Sequence, residues 1–119
     1  MPMYGGIFMS DEYAPLTEGV YYILLALYEP RHGYGIMQFA DDMSHGRVRL
    51  GAGTIYSAIK SLQKKKWIVP YDEDGRKKEY IITDLGKEIV KKEVERLKEL
   101  YKNGQHLLSQ EIFSGLYRL

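Results

Sequence analysis

Residues 51–83 read GAGTIYSAIKSLQKKKWIVPYDEDGRKKEYIIT, and this stretch decides the fold. Its first half has a helical period. Ile55, Ala58, Ile59 and Leu62 stand at i, i+3, i+4 and i+7, a single apolar stripe. Thr54, Ser57, Lys60, Ser61 and Lys64 fall opposite that stripe and Tyr56 falls on a flank, so the spacing predicts a helix over 54–65 with a small, polar and basic outer face. The second half changes period. Residues 67–71 and 76–83 are β-like runs, and Asp72-Glu73-Asp74-Gly75 between them is a turn, which together make a hairpin. Pro70 cannot donate to a ladder, so the first strand is short or lies at an edge.

Upstream, residues 20–28 are apolar on every side and predict a central, buried helix that Thr17 caps and that stops near Pro30. Glu18 suits the positive end of that helix. A second helix is predicted over 33–43, with Ile36, Phe39, Ala40 and Met43 as its buried face and Asp41 and Asp42 opposite. His45-Gly46 ends it, and the alternation in Arg47-Val48-Arg49-Leu50 predicts a short extended piece. Residues 1–15 show no period and read as an arm.

Downstream, Thr83 caps a last helix with Asp84 in its first turn. Val90, Val94, Leu97, Tyr101 and Leu108 form a seam of three- and four-residue steps, with Gly104 at the intervening position and Leu100 and Leu107 widening the stripe. Two such helices can pair, or the stripe can pack on its own domain. Asn103-Gly104 is a stop signal, so residues 105–119 are expected as a short further helix or a tail.

The chain has 119 residues, one domain's length. It has no cysteine, which excludes disulfides, cysteine-bound zinc and thiol chemistry and agrees with a cytoplasmic location. The longest apolar run is the nine residues 20–28, against the ~20 of a membrane span, and no signal-peptide pattern opens the chain. A net charge of +1 hides an asymmetry: residues 47–78 carry nine of the 17 basic residues and three of the 16 acids, leaving +6 there and −5 elsewhere. Such a block suits a polyanion, and a solvated lysine-rich face is the other reading of charge alone.

Enzyme constellations are scarce. His32, His45 and His106 lie outside metal-ligand spacings, and no metal or cofactor is expected. Gly33-Tyr34-Gly35 lacks the third glycine and preceding strand of a nucleotide loop, and reads as a helix opening with close backbone packing. What remains is an order: helix, helix, short strand, helix with a polar-basic outer face, basic hairpin. In a helix-turn-helix the second helix enters the major groove, small polar residues permit close approach, and lysines reach phosphates. Thr54, Tyr56, Ser57, Lys60, Ser61 and Lys64, with Arg76, Lys77 and Lys78 at the hairpin, are the expected DNA-binding residues.

Four strings carry a resemblance. His32-Gly33-Tyr34-Gly35-Ile36, Gly53-Thr54-Ile55-Tyr56, Gly75-Arg76-Lys77-Lys78-Glu79-Tyr80 and Thr83-Asp84-Leu85-Gly86 occur in the order and spacing of the PadR family of bacterial transcriptional regulators, which the chain resembles over 16–102. The resemblance implies a mainly α fold with a small β-hairpin: a winged helix-turn-helix over 16–83 and a single C-terminal dimerisation helix with its tail over 84–119, as in the family's smaller subfamily. It also implies a repressor relieved by a small hydrophobic or aromatic compound. The sequence departs from the family pattern at Ser57, where proline is common, and at Leu97, where some drug-sensing members carry tryptophan. The one tryptophan, Trp67, opens the hairpin and reads as core.

The expected dimer interface is Val90, Val94, Leu97 and Tyr101, and a two-fold dimer calls for an inverted-repeat operator in double-stranded DNA. Apolar clefts form where helices meet at such an interface, so Tyr21, Val94, Leu97 and Tyr101 are the expected ligand-lining residues. A winged-helix module that binds protein partners without DNA is the alternative reading.

Overall fold

The computed structural model describes residues 14–72 and 78–118. The arm expected over 1–15 lies almost wholly outside the described residues, as do Arg76 and Lys77 of the hairpin turn.

Helix α1 spans Glu18–Ala26. The Thr17 hydroxyl accepts the Val20 N–H at 3.1 Å, which satisfies one of the donors a helix start leaves open. Ile23, Leu24, Ala26 and Leu27 are fully buried, so α1 is the central helix its composition called for, although Tyr28 just beyond it is exposed. Helix α2 spans Gly33–Met43, and the His32 ring accepts the Gly35 N–H at 3.4 Å as its cap. Ile36 and Ala40 are fully buried. Phe39 is partly buried on the core, with the Arg31 guanidinium 4.8 Å over its ring.

Met43 does not complete that stripe as expected; it is exposed. His45 and Gly46, both at positive φ, turn the chain back at this point, and Ser44 is the residue that tucks inside. Its hydroxyl donates to the Ala40 carbonyl at 2.7 Å and accepts the Val48 N–H at 2.8 Å.

Residues 47–50 form no strand, which corrects the extended piece read there. Their alternation is real: Val48 is buried and Leu50 packs on the core. A strand needs a partner ladder. The open side of the hairpin is instead occupied by Arg31, whose N–H and carbonyl bond the Tyr80 carbonyl and N–H at 3.2 and 2.9 Å.

Helix α3 spans Ala52–Lys64 and buries Ile55, Ile59 and Leu62. Lys66, at positive φ, turns the chain into strand β1, Ile68–Asp72, which pairs antiparallel with β2, Glu79–Ile82. Pro70 faces Tyr80 in register, and the register shifts between Pro70 and Asp72. In a two-stranded sheet the missing Pro70 donor falls at an edge, where it costs no ladder bond. Trp67 is buried in the core, with the Lys65 ammonium 4.8 Å over its ring.

Helix α4 runs without a break over Asp84–Arg118. The stop read at Asn103-Gly104 does not occur. Gly104 meets nothing within 4 Å, and a glycine in an exposed helix costs only about 1 kcal/mol, less than a broken helix would forfeit. At about 1.5 Å per residue the helix is ~50 Å long. Ile89 and Val90 close the core formed by α1, α2, α3 and the hairpin. No helix among the described residues is long and apolar enough to cross a membrane.

Candidate nucleic-acid interface

Helix α3 presents two chemistries. Ile55, Ile59 and Leu62 are 1–3% exposed against α1 and α2, so the helix cannot rotate. Thr54, Tyr56, Ser57, Lys60, Ser61 and Lys64 consequently face outward, all exposed. The structure brings these six expected residues onto one surface. Lys78 is exposed where β2 begins.

The start of α3 adds a feature that side-chain reading missed. Gly51 caps the helix without a side-chain hydrogen bond, and Gly51, Ala52, Gly53 and Thr54 are all exposed. Added Cβ atoms at Gly51 and Gly53 would meet nothing within 4 Å. First-turn amides are thus open to solvent at the positive end of the helix, beside the Lys60 and Lys64 face, where phosphate oxygens are well received. The sequence signal was the pair of glycines flanking Ala52, which reads first as a chain break.

Tyr56 does more than flank the helix. Its hydroxyl lies 3.1 Å from where a Gly33 Cβ would sit, so the ring leans on the opening of α2. The close packing read at Gly33-Tyr34-Gly35 is therefore a contact between the two helices of the helix-turn-helix. Tyr56 remains 59% exposed, so most of the ring is still available.

The basic block is thinner than its count. Arg47 pairs with Glu18, and Arg49 Nε lies 3.8 Å from Asp41. The Glu18 hydrogen bond raises the Arg47 pKa and lowers that of Glu18. Two of the nine cations, themselves exposed, thus brace α1 and α2, and Lys60, Lys64, Lys65, Lys66 and Lys78 are the exposed lysines of the block among the described residues.

The expected dimer residues divide. Val90 is 5% exposed within its own core and has little surface left for a partner. Val94, Leu97 and Tyr101 are 45%, 37% and 66% exposed on the projecting helix, with Leu100, Leu107 and Leu108 beside them. The Tyr101 hydroxyl accepts from Gln105 at 3.1 Å. Tyr21 is half-buried at the root of α4, where burial first, then Tyr22 and Glu93, push its phenol pKa up. A groove of about 540 Å³ opens at that root, but Leu16, Ile89, Arg96 and Leu100 are among its walls, and none of the four expected ligand-lining residues is. No group of three metal-ligating side chains is assembled among the described residues.

An exposed helix-turn-helix face beside a two-stranded wing, continued by a long projecting helix, defines the winged helix-turn-helix class of DNA-binding regulators. The chain belongs to the transcriptional regulator PadR-like family, which residues 22–92 match. That family is one of transcriptional regulators.

Among solved structures, a transcriptional regulator from Clostridium thermocellum is similar at a TM-score of 0.62 and 23% identity, over 75% of this chain and 90% of that one. RosR from H. salinarum gives 0.60 and 20% over 83% and 96%. A PadR family regulator from Eggerthella lenta gives 0.57 and 25% over 75% and 79%. A 37.1 kDa protein in transposon TN4556 of Streptomyces fradiae is 33% identical over 79 residues, 66% of this chain. The chain spans 22% of that curated relative's length.

Proposed function

We propose that the protein is a homodimeric repressor that holds an inverted-repeat operator and releases it when a small hydrophobic or aromatic compound binds. The observation that carries the DNA-binding part is the outer face of α3, polar, basic and wholly exposed because its opposite face is locked into the core. Thr54, Tyr56, Ser57 and Ser61 are the groups of that face able to meet base edges and sugars, and Lys60 and Lys64 the groups able to meet phosphates. Arg76, Lys77 and Lys78 of the wing extend the same charge to the flanking backbone. The exposed Val94, Leu97 and Tyr101, continuing from Val90, support pairing of two α4 helices, since an apolar stripe on a projecting helix gains by being covered. Repression and its relief rest on the family resemblance, with Tyr21, Val94, Leu97 and Tyr101 at the helix pair as the proposed ligand site.

The test is duplex binding as a function of salt. The chain should select an inverted repeat from a random duplex library, with affinity falling steeply as salt rises because neutralised phosphates release counterions. Lys60→Ala/Lys64→Ala should bind every duplex more weakly and flatten the log–log salt slope by about two per subunit, about four for the bound dimer. A folded double variant with unchanged slope and affinity removes α3 from the groove.

A further inference from the structure

Glu93 is the one buried carboxylate among the described residues, 6% exposed. Arg96, one turn on, donates to it from Nε at 3.0 Å and Nη2 at 2.6 Å. A further partner is on another element: Leu16, just ahead of the α1 cap, lines the same groove as Glu93 and Arg96, and its backbone N–H turns to the carboxylate. Helix interiors do not require a buried acid, and burying one is costly unless it is fully paired. From residue 94 to residue 111 every position of α4 except the half-buried Arg96 is exposed. Glu93 therefore stands where the helix leaves the domain.

A second fixed point lies two turns earlier. The Thr83 hydroxyl accepts the Gly86 N–H at 3.0 Å, and its own hydrogen faces the carbonyls of Lys66 and Trp67 at 2.8 and 3.0 Å. Those carbonyls belong to the turn that ends α3. Gly86 lies so close to it that an added Cβ would sit 2.3 Å from the Trp67 oxygen. The start of α4 is thus tied to the end of α3, and about 10 Å along the axis Glu93 ties α4 to the entry of α1. Two ties at different heights define a direction where one would leave a pivot.

We infer that Glu93, through Arg96 and the Leu16 amide, is a positioning residue that sets the angle between the dimer helix and the groove-reading helix, and hence the spacing of half-sites the protein accepts. This rests on the dimeric reading proposed above. Half-sites one turn apart put each α3 about 17 Å from the two-fold axis. A tilt of about 10° at the root of α4, acting over the roughly 10 Å between packed helices, moves each reading helix by about 1.5 Å. The two together shift by about 3 Å, close to the ~3.4 Å rise of one base pair.

The probe is the inverted repeat enriched by wild-type protein, made also with its spacer lengthened and shortened by one base pair. Wild type should prefer the native spacer by at least about tenfold. Glu93→Leu fills the same space without an acceptor and should reduce that preference to about two- or threefold while the chain remains a folded dimer by circular dichroism and sedimentation. Glu93→Gln keeps an oxygen for the Leu16 N–H and should retain most of it. A role in filling space alone predicts the same result for both variants. Folded, dimeric Glu93→Leu with the wild-type spacer preference overturns the inference. Should Glu93→Leu not fold, Arg96→Leu tests the same tie, with loss of preference expected and wild-type preference again fatal. Wild type that binds no duplex, or binds as a monomer, overturns the dimeric reading instead.

Discussion

Single atoms set the tolerances of this chain. A Cβ at Gly86 would lie 2.3 Å from the Trp67 carbonyl oxygen, and that oxygen is backbone and cannot swing aside. Gly86→Ala must therefore push α4 off the α3–β1 turn. Overpacking of this kind costs about 1–3 kcal/mol, and the upper end is expected here, read as a lowered urea midpoint. Glu93 has a different signature. The paired Arg96 guanidinium holds its carboxyl below the ordinary 4.5, with the Leu16 amide assisting and burial opposing without prevailing. Its folded pKa is depressed, so its stabilisation is complete above about 4.5 and is lost as pH falls through the lowered value. Urea titrations of wild type across that range should show stability falling with acid, and Glu93→Gln should flatten part of the slope. An unchanged acid limb would mean that other carboxylates carry it.

At the scale of elements, α4 is the unusual one. It runs 35 residues, and from residue 97 to 111 every side chain is exposed. No core supports that stretch, so its helicity in one protomer depends on propensity and on whatever covers its apolar stripe. Gly104 is its weakest position and meets no neighbour within 4 Å. Gly104→Ala should raise the stability of the helix by about 1 kcal/mol, visible as greater helicity on heating by circular dichroism. No gain, or a loss, would show that a second chain approaches the helix closely at this glycine.

At the scale of the molecule, the fold separates two tasks. The winged domain is closed around Ile23, Leu24, Leu27, Ile36, Ile55 and Ile68, all below 2% exposed, and projects α4 away from it. The longest dimension is 67 Å and the shortest 22 Å, so much of the apolar surface of α4 lies far from the core. Leu97→Asp places a charge in both copies of the proposed interface. Sedimentation should show monomers, and operator affinity should fall by orders of magnitude because two half-sites no longer act together. A stable dimer with intact affinity would place the interface elsewhere.

How much of this was legible in the chain differs by element, and the reason is range. Caps and periods are local. Thr17 and Thr83, the bounds of the second helix, the buried stripe of the third and the hairpin at Trp67 each follow from residues within a turn or two, because hydrogen bonds and amphipathic faces act over that distance. So does the outer face of α3: once Ile55, Ile59 and Leu62 must be buried, Lys60 and Lys64 must be out. The family strings extended that reading to the class of regulator.

What stayed hidden depended on partners distant in sequence. The alternating 47–50 segment found no strand to pair with, because Arg31 had taken the free side of β2. Asn103-Gly104 carries a stop signal that the helix formers around it outweigh. Val90 reads from its spacing as the first rung of an intersubunit seam, and its burial in the protomer's own core shows only once the domain has closed. Glu93 read as one more charge on a charged helix until Leu16, 77 positions earlier, was set against it. Sequence alone determined which elements form and which faces they bury, since those are set by near neighbours. Tertiary structure decided which residues lock the elements together, since burial and pairing between distant segments exist only once the chain has closed.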